Sequence, residues 1–190
     1  FKQADDELGY SISKIILEGP KEDLDLTENT QPAIFLVGYS IFKLINEHHK
    51  IDIKKSKFYA GHSLGEYTAL ACAGALSFSD TLKILKIRGK AMQEAVPKGE
   101  GGMLAILGSD LDSINNILKE NEKNFECFIA NDNSDNQLVV SGSSESIQKF
   151  SDYLNTKKIK NIKLQVSAPF HCKLMNNATR VMEKEIKKLE

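Results

Sequence analysis

Lys57-Phe58-Tyr59-Ala60-Gly61-His62-Ser63-Leu64-Gly65-Glu66-Tyr67-Thr68-Ala69-Leu70-Ala71-Cys72-Ala73 is the stretch that decides the fold class. Lys57 to Gly61, with Phe58 and Tyr59 inside it, reads as a short strand, and the alanine-rich run up to Ala73 reads as a helix. Between them lies Gly61-x-Ser63-x-Gly65, the nucleophile-elbow pattern. Its glycines allow a turn too sharp for other residues and leave the serine hydroxyl exposed. Strand, tight turn and helix in succession predict an α/β domain. A serine in this place stands at a helix N-terminus, where the dipole and the N–H of Leu64 can stabilise the oxyanion of an acyl-transfer intermediate. The plain alternative is a glycine-flanked serine that only caps the helix. The strand and helix on either side favour the nucleophile.

Upstream, Thr30-Gln31-Pro32 reads as a helix entry, because proline loses little where an N–H is unused anyway. The spacing of Ile34, Val37, Ile41, Leu44 and Ile45 carries that helix to about His48-His49. Downstream, Ser79 can cap a helix running through Val96, with Leu82, Ile84, Leu85, Ile87, Ala91 and Met92 on its buried side. Pro97, Gly99, Gly101 and Gly102 then break it.

From Met103 the units become smaller. Met103–Leu107 reads as a strand, Ser109–Glu120 as a helix, and Glu126–Ala130 and Gln137–Ser141 as strands about a polar turn. Ser143–Asn155 reads as a helix and Ile159–Val166 as a strand. The order βαββαβ is that of a ferredoxin-like α+β subdomain, two helices on a four-stranded antiparallel sheet. It is bracketed by Gly99 to Gly102 and by Ser167-Ala168-Pro169. The sequence therefore predicts an α/β catalytic subdomain over 1–100 and 169–190, interrupted by a ferredoxin-like subdomain over 101–168.

A chain of 190 residues with 41% hydrophobic and 27% charged residues and a net charge of −1 is ordinary globular material. That balance excludes a disordered tail and an overall basic nucleic-acid binder. No apolar run approaches the roughly 20 residues a membrane helix needs, since Pro32 to Ile45 is broken by Gly38, Ser40 and Lys43. Nucleic acid and membrane are accordingly not expected partners. The three cysteines, Cys72, Cys127 and Cys172, form neither a CxxC pair nor a metal-ligand spacing, and their odd number points to a reducing compartment. The chain begins at Phe1 and stops at Glu190 inside a helical pattern, so the sequence suggests that both ends are cut or unobserved.

A serine nucleophile needs a base, and His48, His49, His62 and His171 are the chain's histidines. His48 and His49 sit at a charged helix end beside Glu47 and Lys50, where a solvated role fits better. His62 belongs to the elbow but points elsewhere than Ser63. His171 follows Pro169-Phe170 in the sort of loop that aims a side chain into a cleft; a capping or core histidine is the even alternative. Arg88 and Arg180 are the only arginines among 25 basic residues. Arg88 lies mid-helix among Ile84, Leu85, Ala91 and Met92, so its guanidinium is partly buried and needs a partner. A bidentate carboxylate suits it best, either an Asp or Glu of the protein or the free acid of a bound acyl group.

Together, Gly61-His62-Ser63-Leu64-Gly65-Glu66-Tyr67, Arg88-Gly89-x-x-Met92-Gln93, Ser167-Ala168-Pro169-Phe170-His171 and Thr30-Gln31-Pro32-Ala33 resemble malonyl-CoA:acyl-carrier-protein transacylases of type II fatty-acid synthesis. Asn133-Ser134 and Gln137 before a valine-rich strand extend the likeness through nearly the whole chain, although Asp135-Asn136 stands where the family tends to have Pro-Gly. The resemblance implies an α/β-hydrolase-like domain with a ferredoxin-like insertion. It also implies that Ser63 is the acylated nucleophile, His171 the general base, Arg88 the clamp on the malonyl carboxylate, and Gln31 and Met92 neighbours of the acyl group. Leu64 N–H then supplies part of the oxyanion hole. The family's glycine- and glutamine-rich N-terminal loop and the group that orients its histidine would lie outside this chain.

The implied partners are malonyl-CoA, CoA and holo acyl carrier protein, with no cofactor and no metal. Carrier proteins are acidic, so Lys157, Lys158, Lys160 and Lys163, or Lys83, Lys86 and Lys90, are candidate docking patches. A serine hydrolase or thioesterase with the same elbow is the competing enzyme, and a carrier-binding fragment without chemistry is the competing non-enzyme. Arg88 argues against the hydrolase, since neutral acyl chains have no use for a buried cation. Abundant lysine, asparagine and isoleucine with scarce arginine fit an AT-rich genome, which places the protein in an apicomplexan plastid or a bacterial cytoplasm.

Overall fold

Helical spacing of apolar residues assembles the first of two compact units, Phe1–Lys90 with Val181–Glu190; the second is Ala91–Arg180. The computed structural model describes residues 1–48, 53–97, 99–166 and 168–189, so His49 and Ser167 of the sequence reading lie outside the described residues. In chain order the first unit brings α1 (Lys2–Leu8), α2 (Ile12–Glu18), α3 (Lys21–Leu24), α4 (Thr27–His48), a 3-10 turn at Ile53–Lys55 and α5 (Leu64–Cys72). Then comes α6 (Phe78–Glu94), whose last turn belongs to the second unit. Ala4, Ile12, Ala33, Phe35, Leu36, Ala71, Leu82 and Leu85 form the buried cluster these helices share. Ser77 caps α6, its hydroxyl accepting from Asp80 N–H at 3.0 Å, two residues before the serine the sequence suggested.

Helix α4 begins one turn earlier than the Thr30-Gln31-Pro32 entry predicts, which puts Pro32 inside the helix. Thr27, Gln31, Pro32 and Ala33 are all buried there. That burial offsets the hydrogen bond the proline ring cannot donate. The predicted apolar stripe Ile34, Val37, Ile41 and Leu44 is exposed. No strand forms at Lys57–Gly61, and Phe58 is 88% exposed. A strand exists by pairing, and the described residues of the first unit offer it no partner.

The second unit continues with β1 (Gly101–Leu107), α7 (Leu111–Glu120), β2 (Cys127–Ser134), β3 (Gln137–Ser143), α8 (Ser144–Thr156) and β4 (Lys160–Lys163). A 3-10 turn at Lys173–Met175 and α9 (Asn176–Ile186) follow. The strands form one sheet of order β2-β3-β1-β4, with every pairing antiparallel. Residues on both faces of β1 and β3 are buried. Leu104, Ile106, Leu138 and Val140 point to one side and meet Ile114 and Leu118 of α7 and Ile147, Phe150 and Leu154 of α8. Asp110 and Ser143 cap these helices, accepting from Ser113 N–H at 2.8 Å and Ser146 N–H at 3.1 Å. Strand β4 is half as long as its pattern suggested, because β1 pairs with it only from Leu104 to Leu107.

Phe150 is fully buried, its ring centroid 5.0 Å from that of the tilted Phe125 ring, so Phe150→Ala is expected to lower unfolding stability by about 3–5 kcal/mol in a denaturant titration. All three cysteines are free thiols. Burial pushes the Cys127 thiol from 9.0 up to about 12, and the neighbouring Cys172 adds to the rise. The folded protein thus keeps a proton that the unfolded chain sheds, so this contribution is complete below pH 9.0 and lost as pH climbs towards about 12. At pH 8, iodoacetamide should label Cys127 far more slowly in the folded protein than in urea, as read by peptide mass; equal rates would contradict the burial.

Candidate active site

The turn into α5 is built by glycine. A Cβ on Gly61 would stand 1.9 Å from the Gly65 carbonyl oxygen, so no side chain fits. Gly65 N–H bonds to the His62 carbonyl at 2.8 Å and Glu66 N–H to the Ser63 carbonyl at 3.1 Å, which closes the turn. Ser63 is driven to φ 53° and ψ −117°, a conformation costly for a residue with a side chain. It occupies the N-cap position, yet its hydroxyl makes no cap hydrogen bond. The capping alternative raised by the sequence is therefore not what the side chain does.

Instead, the Ser63 hydroxyl accepts from Arg88 Nη2 at 3.1 Å. Arg88 Nη1 donates to Gln31 Oε1, and Gln31 Nε2 donates to Thr27 Oγ1 at 3.0 Å. The Tyr67 ring, one helical turn beyond Ser63, faces the guanidinium at 5.7 Å. Helices α4, α5 and α6 thus each contribute to one group of polar side chains. Burial lowers the Arg88 pKa from its ordinary value, opposed by Tyr67 and Glu66. Burial raises that of Tyr67, opposed by Arg88. Arg88 still carries its charge at neutral pH. Among the described residues it makes no ion pair with a carboxylate, so the salt-bridge alternative for Arg88 does not occur there.

Leu64 opens α5, so its N–H is among those that helix geometry leaves without an intrahelical partner. His62 is exposed beside the elbow. His171 and Met92 belong to the second unit. His171 also has a left-handed backbone, φ 57°, and its loop is pinned on both sides. Pro169 fills the space a Cβ on Gly101 would need, 2.2 Å from Pro169 Cδ. The Phe170 carbonyl accepts from the Ser141 hydroxyl at 2.6 Å, and Lys173 pairs with Glu126 at 2.7 Å and lies over the Phe128 ring. Met92 is buried with Ala91, Val96, Ala168, Met175 and Ala178. The structure therefore brings Gln31, Ser63 and Arg88 together in one unit and places His171 and Met92 in the other.

Two residues of the polar group escaped the sequence reading. Tyr67 lies four residues after Ser63 and Thr27 four before Gln31, one helical turn in each case. That spacing was the available signal. Of the two lysine groups, Lys83 pairs with Glu7 at 2.7 Å and Lys86 lies over the Tyr10 ring at 4.2 Å. No helix among the described residues is long and apolar enough to cross a membrane, and no group of metal-binding side chains occurs among them.

Residues 2–190 match the acyl transferase domain family. The chain belongs to that family. A malonyl CoA-acyl carrier protein transacylase of Haemophilus influenzae is 41% identical over 179 residues, covering 94% of this chain and 57% of the relative. The acyl-carrier-protein S-malonyltransferase of Bartonella henselae superposes with a TM-score of 0.94 at 39% identity, over 100% of this chain and 61% of that one. A malonyl-transacylase solved in complex with its type II PKS acyl-carrier protein gives a TM-score of 0.91 at 36% identity, over 100% of this chain and 61% of that one. The chain thus spans between 57% and 61% of the length of these relatives.

Gly61→Ala in this acyl transferase domain should undo the elbow. A tenfold or larger loss of Ser63 labelling by a fluorophosphonate probe is the expected result, and undiminished labelling would show that the turn tolerates a Cβ.

Proposed function

We propose that the protein transfers a malonyl group from malonyl-CoA to the phosphopantetheine thiol of holo acyl carrier protein, in fatty-acid synthesis, through an ester on Ser63. The observation that carries the reading is the partly buried Arg88, which donates to the Ser63 hydroxyl and to Gln31 and meets no carboxylate of the protein among the described residues. A guanidinium so placed is matched to an acyl group that ends in a free acid. The relatives named as malonyl transacylases support the same substrate.

In the first half-reaction Ser63 Oγ attacks the thioester carbonyl while His171 takes the hydroxyl proton. The oxyanion that forms is stabilised by Leu64 N–H and the N-terminus of α5. CoA leaves as its thiol, with the proton returned by His171. In the second, His171 takes the proton of the carrier's thiol, the sulfur attacks the malonyl ester, and Ser63 leaves as its hydroxyl. Gln31 orients the arginine throughout, and Met92 lines the acyl end. No step calls for a metal or cofactor.

The same reading assigns residues 1–100 and 169–190 to an α/β-hydrolase-like catalytic part and 101–168 to a ferredoxin-like subdomain. The sheet order β2-β3-β1-β4 with two helices on one face supports the latter. A bacterial cytoplasm or a plastid is the compartment in which this chemistry would run.

Intact-protein mass after brief mixing with malonyl-CoA tests the proposal. A malonyl-sized adduct that passes to carrier protein and is absent from Ser63→Ala is expected. Arg88→Ala should lower malonyl acylation by about 100-fold relative to acetyl acylation. An adduct lost to water faster than to carrier protein would favour a hydrolase, and no adduct at all would refute the assignment.

A further inference from the structure

Strand β3 carries the apolar run Leu138-Val139-Val140 and then a serine, Ser141, that is fully buried. Val140 belongs to the cluster with α7 and α8, so Ser141 turns to the opposite face of the sheet. It pairs there with Met103 of β1 and Phe128 of β2. A buried hydroxyl needs an acceptor, and this one donates to the Phe170 carbonyl at 2.6 Å, from 29 residues away in the chain. That carbonyl belongs to the peptide joining Phe170 to His171. The His171 φ of 57° is the angle at which the residue leaves this peptide plane. A residue with a side chain stays in the left-handed region only where its surroundings hold it. The Ser141 bond holds the plane before the histidine. After it, Met175 N–H bonds to the Cys172 carbonyl at 2.9 Å and Lys173 pairs with Glu126 of the segment leading into β2 at 2.7 Å.

We propose that Ser141 is a positioning residue for His171: by holding the Phe170–His171 peptide, its hydroxyl keeps the imidazole in the direction that proton transfer requires. The proposal rests on the reading of His171 as the general base. Removing the hydroxyl releases that peptide from β3, and φ of His171 relaxes from its left-handed value. The other contacts of His171 and its loop remain, so the ring loses part of its direction and acylation slows without being abolished. The base serves every acyl donor, so malonyl and acetyl transfer slow together. Ser141 is fully buried, which puts the loss on the rate at saturation and not on donor binding.

The test follows acylation by malonyl-CoA and acetyl-CoA, and the histidine ring signals by NMR after selective labelling, in the unsubstituted protein, Ser141→Ala, His171→Ala and the double variant. Ser141→Ala is expected to lower the acylation rate at saturating donor by about 10-fold for both donors, with half-saturation changed by less than about twofold. It should also move the His171 ring signals while those of His62 stay in place. Ser141→Cys, which keeps a weaker donor in a similar shape, should fall between the two proteins in rate and in signal position. In a His171→Ala background Ser141→Ala should cost no further activity, because the ring it positions is gone. Unmoved His171 signals, an unchanged rate, or an undiminished tenfold loss in the His171→Ala background would each overturn the role of Ser141. If instead His171→Ala acylates as fast as the unsubstituted protein, the base itself is refuted and the proposal falls with it.

Discussion

Helix α6 meets the start of α4 at Gly89, where the backbones approach so closely that only glycine fits. The placing of Arg88 beside Gln31 depends on that approach. Arg88 precedes Gly89, and Gln31 lies one turn after Thr27, so the contact that excludes a Cβ also sets the guanidinium beside the amide. A second exclusion acts independently at Gly61, whose contact with Gly65 throws Ser63 into its left-handed conformation. Two close approaches, one between helices and one within a turn, therefore converge on a single hydroxyl.

The electrostatics follow from the same geometry. A partly buried cation is costly unless its donors are satisfied, and a carboxylate would satisfy and neutralise it at once. Here neutral oxygens of Gln31 and Ser63 accept from it, with the Tyr67 ring facing it, and none of the three neutralises it. The donors are held, the direction of the fork is fixed, and a net positive charge remains beside the serine. In a chain whose other basic residues are lysine except Arg180, a planar fork with several donors in fixed directions is the feature that lysine cannot supply.

Local information was legible in the sequence and non-local information was not. The second unit's strands and helices were readable because the short apolar runs in Met103–Leu107 and Gln137–Ser141 and the helical spacing of Ile147, Phe150 and Leu154 each report buried positions directly. Their ends moved by a few residues where pairing, rather than propensity, sets the limit, as at Lys160–Lys163. Lys57–Gly61 has the composition of a strand but no partner among the described residues, and composition carries no record of a partner. The stripe on α4 failed for a related reason. Ile34, Val37, Ile41 and Leu44 have helical spacing, yet the buried side is the one through Pro32, Ala33, Phe35 and Leu36. In the polar group, Ser63 and Arg88 were visible through a motif and an unusual residue choice. Thr27 and Tyr67 meet other side chains of the group, and only their one-turn spacing pointed to them.

Backbone strain singles out positions without reference to any motif. Among the described residues, three that are not glycine have left-handed φ: Ser63, Lys158 and His171. Lys158 follows the C-terminus of α8, where Lys158 N–H bonds to the Asn155 carbonyl at 3.1 Å and Ile159 N–H to the Leu154 carbonyl at 3.0 Å. That is ordinary helix termination, which places a residue in this region by itself. Neither Ser63 nor His171 ends a helix. Ser63 is held by the Gly61–Gly65 contact, and His171 by the anchoring of Pro169 against Gly101 and of the Phe170 carbonyl by Ser141. Each conformation costs of order 1–3 kcal/mol, and the surrounding packing over-determines it. The two strained positions that termination does not explain lie in separate units and are held by separate means, a close glycine contact at Ser63 and an anchored loop at His171.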